Sequence, residues 1–428
     1  MKSMLTQVQK GAGILSLWKN WGMKLAENTV TEKLLITKLE GNIVTALMRG
    51  GQVIEFRCEP VKDNRLLGNI YVGRVRDVVK NIQAAFIEIG KGMPCYYSLD
   101  ENKTPLYTKK SAAKTLAQGD ELLVQVSRES SKSKAPSVSS CLNFTGKYLV
   151  LTSGNTRVGF SQKLTPLEKK RLREWIEPYR NEQYGIVVRT NARNAGQAEL
   201  EQELEALLGE YRRVTETAPH RTCFSLVYET PRDYLTALRD TYTSGLESIV
   251  TDDRELYASV KEYLSVHQPG DLPLLKFYED GLLPLNKLYS LEKSLKEALA
   301  QKVWLKSGAY LVIQPTEALT VIDVNTGKCT QGKYQQETFL KINLEACREI
   351  ARQLRLRNVS GIIIVDFINM EEKDYQGQLL KEFERFLKQD PVKSTLVDIT
   401  PLGLVEVTRK KVRKPLSEQF SQSHSATI

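Results

Sequence analysis

Two runs of aliphatic and β-branched residues, each closed by an aspartate, limit most strongly what this chain can fold into. They are Leu-Thr-Val-Ile-Asp-Val-Asn-Thr-Gly (319–327) and Ile-Ile-Ile-Val-Asp-Phe-Ile-Asn-Met (362–370). Runs of this kind predict strands buried on both faces. Between them Leu340, Leu344, Cys347, Ala351 and Leu354 recur at helical spacing, predicting a helix over 335–356. Strand, helix and strand of this size form a βαβ crossover, and parallel strands would bring Asp323 and Asp366 to one C-terminal edge. Side chains alternate faces along a strand, so Asn325 points the same way as Asp323. Ionised carboxylates at the end of a buried strand need a cation or hydrogen-bond donors to offset desolvation, and a hard divalent ion with oxygen ligands is the economical answer. A helix over 290–304, with Ser290 as its N-cap, and a strand near 309–314 are expected to precede this unit.

The rest of the chain offers a substrate. A formal net charge of +10 over 428 residues favours a polyanionic partner, nucleic acid before an acidic membrane surface. Residues 34–56 read as strands broken at Gly41 and Gly50-Gly51. Beyond them Gly68–Val75, Ala84–Gly90, Met93–Leu99 and Glu121–Arg128 read as short strands with glycine turns, the pattern of a small oligonucleotide-binding barrel. Phe86, Tyr96 and Tyr97 lie among Arg74, Arg76 and Lys91, and single-stranded nucleic acid needs such ring faces for bases and cations for phosphates. The polar tract 129–140 reads as a loop, and residues 166–179 and 197–215 as helices.

Six cysteines without a C-x-x-C pair and three scattered histidines predict reduced thiols and no zinc site. No apolar run reaches transmembrane length. Residues 11–26, with Ile14, Leu15, Leu17, Trp18, Trp21 and Leu25, form an amphipathic stretch able to make a weak membrane contact or to serve as a loosely ordered extension.

The segments Pro315–Gly327, Asn343–Ala346, Glu349–Asn358 and Val365–Met370 resemble the catalytic domain of the ribonuclease E/G family. The Leu-Thr-Val-Ile-Asp-Val-Asn block and Leu402–Lys410 are most similar to its cyanobacterial and plastid branch. The resemblance implies an α/β multidomain fold, in which a ribonuclease-H-like domain is interrupted by an S1 (OB-type) barrel and a 5′-sensor. A deoxyribonuclease-I-like α/β nuclease domain would follow. The implied layout is an extension (1–31), a first ribonuclease-H-like segment (32–63), the S1 barrel (64–128), the 5′-sensor (129–218), a second ribonuclease-H-like segment (219–287), the metal-dependent nuclease domain (288–408) and a basic tail (409–428).

The resemblance further implies an endoribonuclease that cuts single-stranded RNA in the processing and decay of ribosomal and messenger RNA, leaving 5′-phosphate and 3′-hydroxyl ends. By motif, Asp323 and Asp366 would hold one Mg²⁺ per active site with Asn325 assisting, and Phe86, Tyr96 and Arg128 would contact RNA. Arg189, Thr190 and Lys393 would line a pocket for a 5′-monophosphate. In that pocket Ala135-Pro136 replaces a glycine-bearing segment, and Lys393 stands where an arginine is usual. After Arg409-Lys-Lys-Val-Arg-Lys-Pro415 there is no Cys-Pro-x-Cys motif, so neither zinc nor the family's tetramer is expected, leaving a homodimer or a monomer. The branch implies the chloroplast stroma of a plastid or a cyanobacterial cytoplasm. Two rivals stay open at this point: a non-catalytic RNA-binding protein, and a membrane-associated RNA scaffold using residues 11–26.

Overall fold

The structure, a computed structural model, describes residues 31–62, 65–113, 115–130, 135–241, 245–327 and 335–425. The amphipathic stretch 11–26 lies outside the described residues. No described helix is long and apolar enough to cross a membrane. The five cysteines described are free thiols.

Four sheets make up the architecture. The first has the spatial order Gln52–Pro60, Asn42–Arg49, Glu32–Leu39, Leu246–Thr251, Leu275–Phe277. Its first three strands form an antiparallel meander, and the last two run parallel to Glu32–Leu39. The chain turns at Gly41 and at Gly50-Gly51, all with positive φ, where glycine avoids the Cβ penalty. Apolar side chains fill both faces. Leu34, Ile36 and Ile43 cluster with Tyr234, Leu256 and Val260, whereas Leu35, Val44 and Phe56 cluster with Leu291, Leu295 and Leu416. This sheet is therefore discontinuous in sequence, and the chain between its third and fourth strands builds two further units.

The first inserted unit is a closed five-stranded barrel. Ile70–Val79, Ala84–Glu88, Pro94–Ser98, Ser137–Ser139 and Glu121–Arg128 pair in that order, and Ile70–Val79 pairs back to Glu121–Arg128. Closure removes exposed strand edges. Ser137–Ser139 corrects the reading of 129–140 as loop throughout. A Ser-Val-Ser segment has no strand signal of its own, and pairing to Glu121–Arg128 supplies its order. The second unit packs the four-stranded sheet Asn143–Thr145, Leu149–Ser153, Tyr184–Val188, Val158–Phe160 with helices Pro166–Ile176 and Gln197–Thr217. Leu172 and Ile176 of the first helix and Leu200, Leu204 and Leu207 of the second share its core. Thr165 and Glu168 form a full capping box on the first helix.

The six-stranded sheet has the order Lys302–Trp304, Tyr310–Pro315, Leu319–Asn325, Gly361–Asp366, Val405–Arg409, Ser394–Ile399. Only its central pair is parallel, joined by the helix Gln335–Leu356. That helix and Lys373–Leu387 cover one face, where Leu311, Ile313, Ile322, Val324, Ile363 and Val365 meet Ile350, Leu379 and Phe383. The opposite face carries exposed or half-buried residues, with Ile362 at 50% exposure. The expectation of strands buried on both faces is thus corrected. The helices pack on one side only, and Val321, Ile362 and Ile364 keep the aliphatic pattern on the open side.

The predicted helix over 290–304 is shortened to Leu291–Leu299, because 302–304 leave it to form the edge strand. Ser290 precedes the helix in the left-handed region (φ 51°) and makes no side-chain cap. A charge cluster around the buried Glu55 fastens the six-stranded sheet and its crossover helix to the first sheet. Glu55 accepts from Arg355 at 3.1 Å and Arg413 at 2.8 Å and also pairs with Arg57. Burial would raise the Glu55 carboxyl, and Arg57, Arg413 and Arg355 together hold it well below the usual carboxylate range instead.

Candidate active site

Asp323 and Asp366 are directly paired residues on neighbouring parallel strands. Both are exposed at the C-terminal ends of those strands. Paired positions share a face, so the two carboxylates project from the open side of the sheet about one strand spacing (~4.8 Å) apart at the backbone. Asn325, two residues on, projects from the same face, and its amide donates to Asp323 Oδ2 at 2.7 Å. The expected direction of Asn325 is therefore realised.

Two backbone devices fix these strand ends. Asn343 is fully buried on the crossover helix. Its amide donates to the Ile368 carbonyl at 2.8 Å, while its carbonyl oxygen accepts from Ile368 N–H at 3.1 Å. This reciprocal pair anchors the segment just after Asp366. Gly327 ends the Asp323 segment with φ 58°, and any Cβ there would collide with the Gly308 carbonyl oxygen. Neither role was read from the sequence. The one available signal was an asparagine on the apolar stripe of a helix, where a polar group needs a specific partner.

The donor set suits magnesium. Two carboxylates and an adjacent carboxamide offer hard oxygen ligands, and Mg²⁺ characteristically takes one or two carboxylates while keeping several waters. Among the described residues no group of three or more His, Cys, Asp or Glu side chains could hold a metal.

The barrel forms a second row of side chains. Phe86 is paired with Tyr96, Tyr96 with Ser137, and Ser137 with Arg128, across four consecutive strands. All three predicted RNA contacts therefore fall on one outer line. Phe86 and Tyr96 are half-buried and meet edge to face, with centroids 6.5 Å apart. Tyr97, read beside them as a candidate ring but not assigned an RNA contact, is a core residue. Its ring is fully buried and its hydroxyl meets Ser140 at 3.0 Å, because the pleat turns it inward where Tyr96 turns out. Arg74 and Arg76 are engaged by carboxylates, Arg74 by Glu121 at 2.9 Å and Arg76 by Glu88 at 3.8 Å.

The three predicted 5′-phosphate residues are only partly brought together. Arg189 donates to the Gly146 carbonyl at 2.5 Å and to Asp240 at 2.7 Å. Burial would raise the Asp240 carboxyl, but Arg239, Arg57 and Arg189 hold it far below the ordinary range. The Thr190 hydroxyl is bonded to Ser161 at 2.7 Å. Lys393 follows a loop tethered to the same unit, since Lys163 donates to the Asp390 carbonyl and Arg193 to the Lys163 carbonyl. Asp240 lies 51 residues beyond Arg189, which is why no local pattern announced it. A cavity of about 900 Å³ adjoins this cluster, lined by Gly146, Asn191 and Arg239 together with Lys147, Glu203 and Asp271. Three of its charged groups are already paired. Glu203 accepts the backbone N–H groups of 147, 148 and 149, and Lys147 pairs with Asp271 at 2.6 Å.

A sequence profile of the Ribonuclease E/G family matches residues 143–412. The chain belongs to the ribonuclease E/G family. It is 33% identical over 395 residues to Ribonuclease G of Haemophilus influenzae, covering 90% of this chain and 80% of that protein. Ribonuclease G of Escherichia coli K12 gives 33% identity over 398 residues, 90% of this chain and 81% of the relative. Ribonuclease E of Nostoc sp. gives 34% over 363 residues, 83% of this chain and 53% of its own longer sequence. As a ribonuclease E/G family member, the chain carries both rows, the aspartate pair and the barrel aromatics, within the span that these relatives cover.

Proposed function

We propose that this protein is an endoribonuclease acting on single-stranded RNA in RNA processing and decay. The observation that carries the reading is the register of Asp323 on Asp366, with Asn325 beside them on an uncovered sheet face. Asp323 and Asp366 would hold one Mg²⁺, and Asn325 keeps the Asp323 carboxylate in place. When bound, that ion supplies Lewis-acid polarisation of the phosphodiester and a water of lowered pKa. The exposed face admits an extended strand, and Asn343 holds the segment behind Asp366 so that the two carboxylates stay in step. In the reaction a water oxygen attacks phosphorus, the bond to the 3′ oxygen breaks, and that oxygen takes up a proton. The products are a 5′-phosphate and a 3′-hydroxyl.

The barrel row supplies binding. Phe86 and Tyr96 present ring faces to bases and Arg128 a cation to the backbone, a combination suited to unpaired RNA. The closed five-stranded barrel supports the S1 reading. The meander followed by two parallel strands, in a sheet interrupted by 61–245, supports a ribonuclease-H-like scaffold. The two-helix face of the six-stranded sheet supports a deoxyribonuclease-I-like nuclease domain. A 5′-monophosphate at Arg189 would compete with Asp240 for the guanidinium.

Cleavage of a labelled unstructured RNA by purified protein, with and without Mg²⁺, tests the reading, with end-group analysis of the products. Metal-dependent internal cuts bearing 5′-phosphates support it. Binding without cleavage at any Mg²⁺ concentration would favour the non-catalytic alternative.

A further inference from the structure

We propose that Trp304, backed by Tyr310 and Lys302, is a stacking site for an unpaired base of the RNA strand beside the scissile phosphate. The proposal rests on the nuclease reading and adds a substrate contact to it. The edge strand Lys302–Trp304 pairs with Tyr310–Pro315, which pairs with the Asp323 strand. In that register Trp304, Tyr310 and Asn325 form one row across the sheet. Lys302, Val312, Asp323 and Asp366 form the next. Alternation keeps all of them except the core-facing intermediates on the open side. Two strand spacings of ~4.8 Å place the Trp304 backbone about 10 Å from that of Asn325, within reach of a nucleotide adjoining the one being cut.

The side chains suit a base and its phosphate. Trp304 is 62% exposed, unusual for an indole without a role. Its ring and that of Tyr310 lie with centroids 5.2 Å apart at 59°. Lys302 Nζ sits 4.2 Å from the Trp304 centroid and 3.6 Å from that of Tyr310. The ammonium thus occupies the inner side of the indole and leaves positive charge where a phosphate would run. Val303, the residue between, packs on the core and pins the strand. A carboxylate pair alone repels RNA; an aromatic and a cation in the adjoining rows offset that repulsion on the side away from Asp366. The occupant is therefore an anionic chain carrying planar rings, not an apolar partner.

The test uses full-length protein and two readouts. In steady-state cleavage, Trp304→Ala is expected to raise KM about tenfold with a much smaller change in kcat, and Trp304→Phe to restore most of the loss. In a D323N background, unstructured RNA is expected to quench tryptophan emission, and the quench is expected to fall in D323N/W304F. Wild-type protein that fails to cleave contradicts the nuclease reading itself. Wild-type protein that cleaves, beside a Trp304→Ala variant with unaltered KM and an undiminished quench in D323N/W304F, overturns the stacking site alone. A Trp304 emission that shifts with protein concentration in the absence of RNA also overturns it, by assigning the ring to contact between copies.

Discussion

The barrel and the six-stranded sheet each present a row of side chains across neighbouring strands, yet the rows are built for different tolerances. On the barrel, Phe86, Tyr96, Ser137 and Arg128 come from four strands stapled by closure. On the sheet, Asp323 and Asp366 come from two parallel strands brought into step by one helix, and the proposed cation needs both. Stacking and phosphate contacts are graded and roughly additive, whereas a shared cation needs both carboxylates at once. Binding can therefore be spread over an insertion, while chemistry depends on register.

The largest expected effect comes from breaking the sheet row. Asp323→Ala should lower cleavage by about 10³-fold or more, several kcal/mol of transition-state stabilisation, while RNA affinity measured by filter binding changes little. Next is the joint that holds the two regions together. Glu55→Ala leaves the buried Arg57 and the half-buried Arg355 and Arg413 short of their shared partner and should cost roughly 3–5 kcal/mol in urea unfolding. The same group sets an acid limit. A depressed folded-state pKa gives stability that is full above the unfolded value of about 4.3 and is lost as pH falls through the folded one. Melting temperature should therefore drop below about pH 4, and less steeply in Glu55→Gln.

Asn343→Ala should reduce kcat roughly 10–100-fold with KM nearly unchanged, by loosening the segment behind Asp366 rather than removing a ligand. Phe86→Ala should do the reverse, raising KM about tenfold with a smaller change in kcat. A variant set that mixes these two signatures would erase the distinction between the rows. The smallest effect should be at the sensor-like unit. With Arg189 held by Asp240, paired substrates differing only in a 5′-monophosphate should be cut at rates within about threefold.

Much of the site could be read in the residues because the two strand runs end in aspartate at matching positions and the helix between them has clear periodicity. What stayed hidden depends on packing beyond the local pattern. A run such as Ile-Ile-Ile-Val cannot tell a strand covered on both faces from one covered on a single face, so the open side of the sheet was invisible. Tyr96 and Tyr97 are adjacent and chemically alike, and only the pleat decides which ring reaches solvent. Ser137–Ser139 acquires its order from a partner strand, and Arg189 acquires its carboxylate from a distant helix.

The proposed chemistry depends most on one divalent ion held jointly by Asp323 and Asp366. Mn²⁺ titration followed by electron paramagnetic resonance, on wild type, Asp323→Asn and Asp366→Asn, measures this without reference to cleavage. One site per chain in the wild type, lost in both variants, is the predicted result; a site that survives intact in either variant would contradict it.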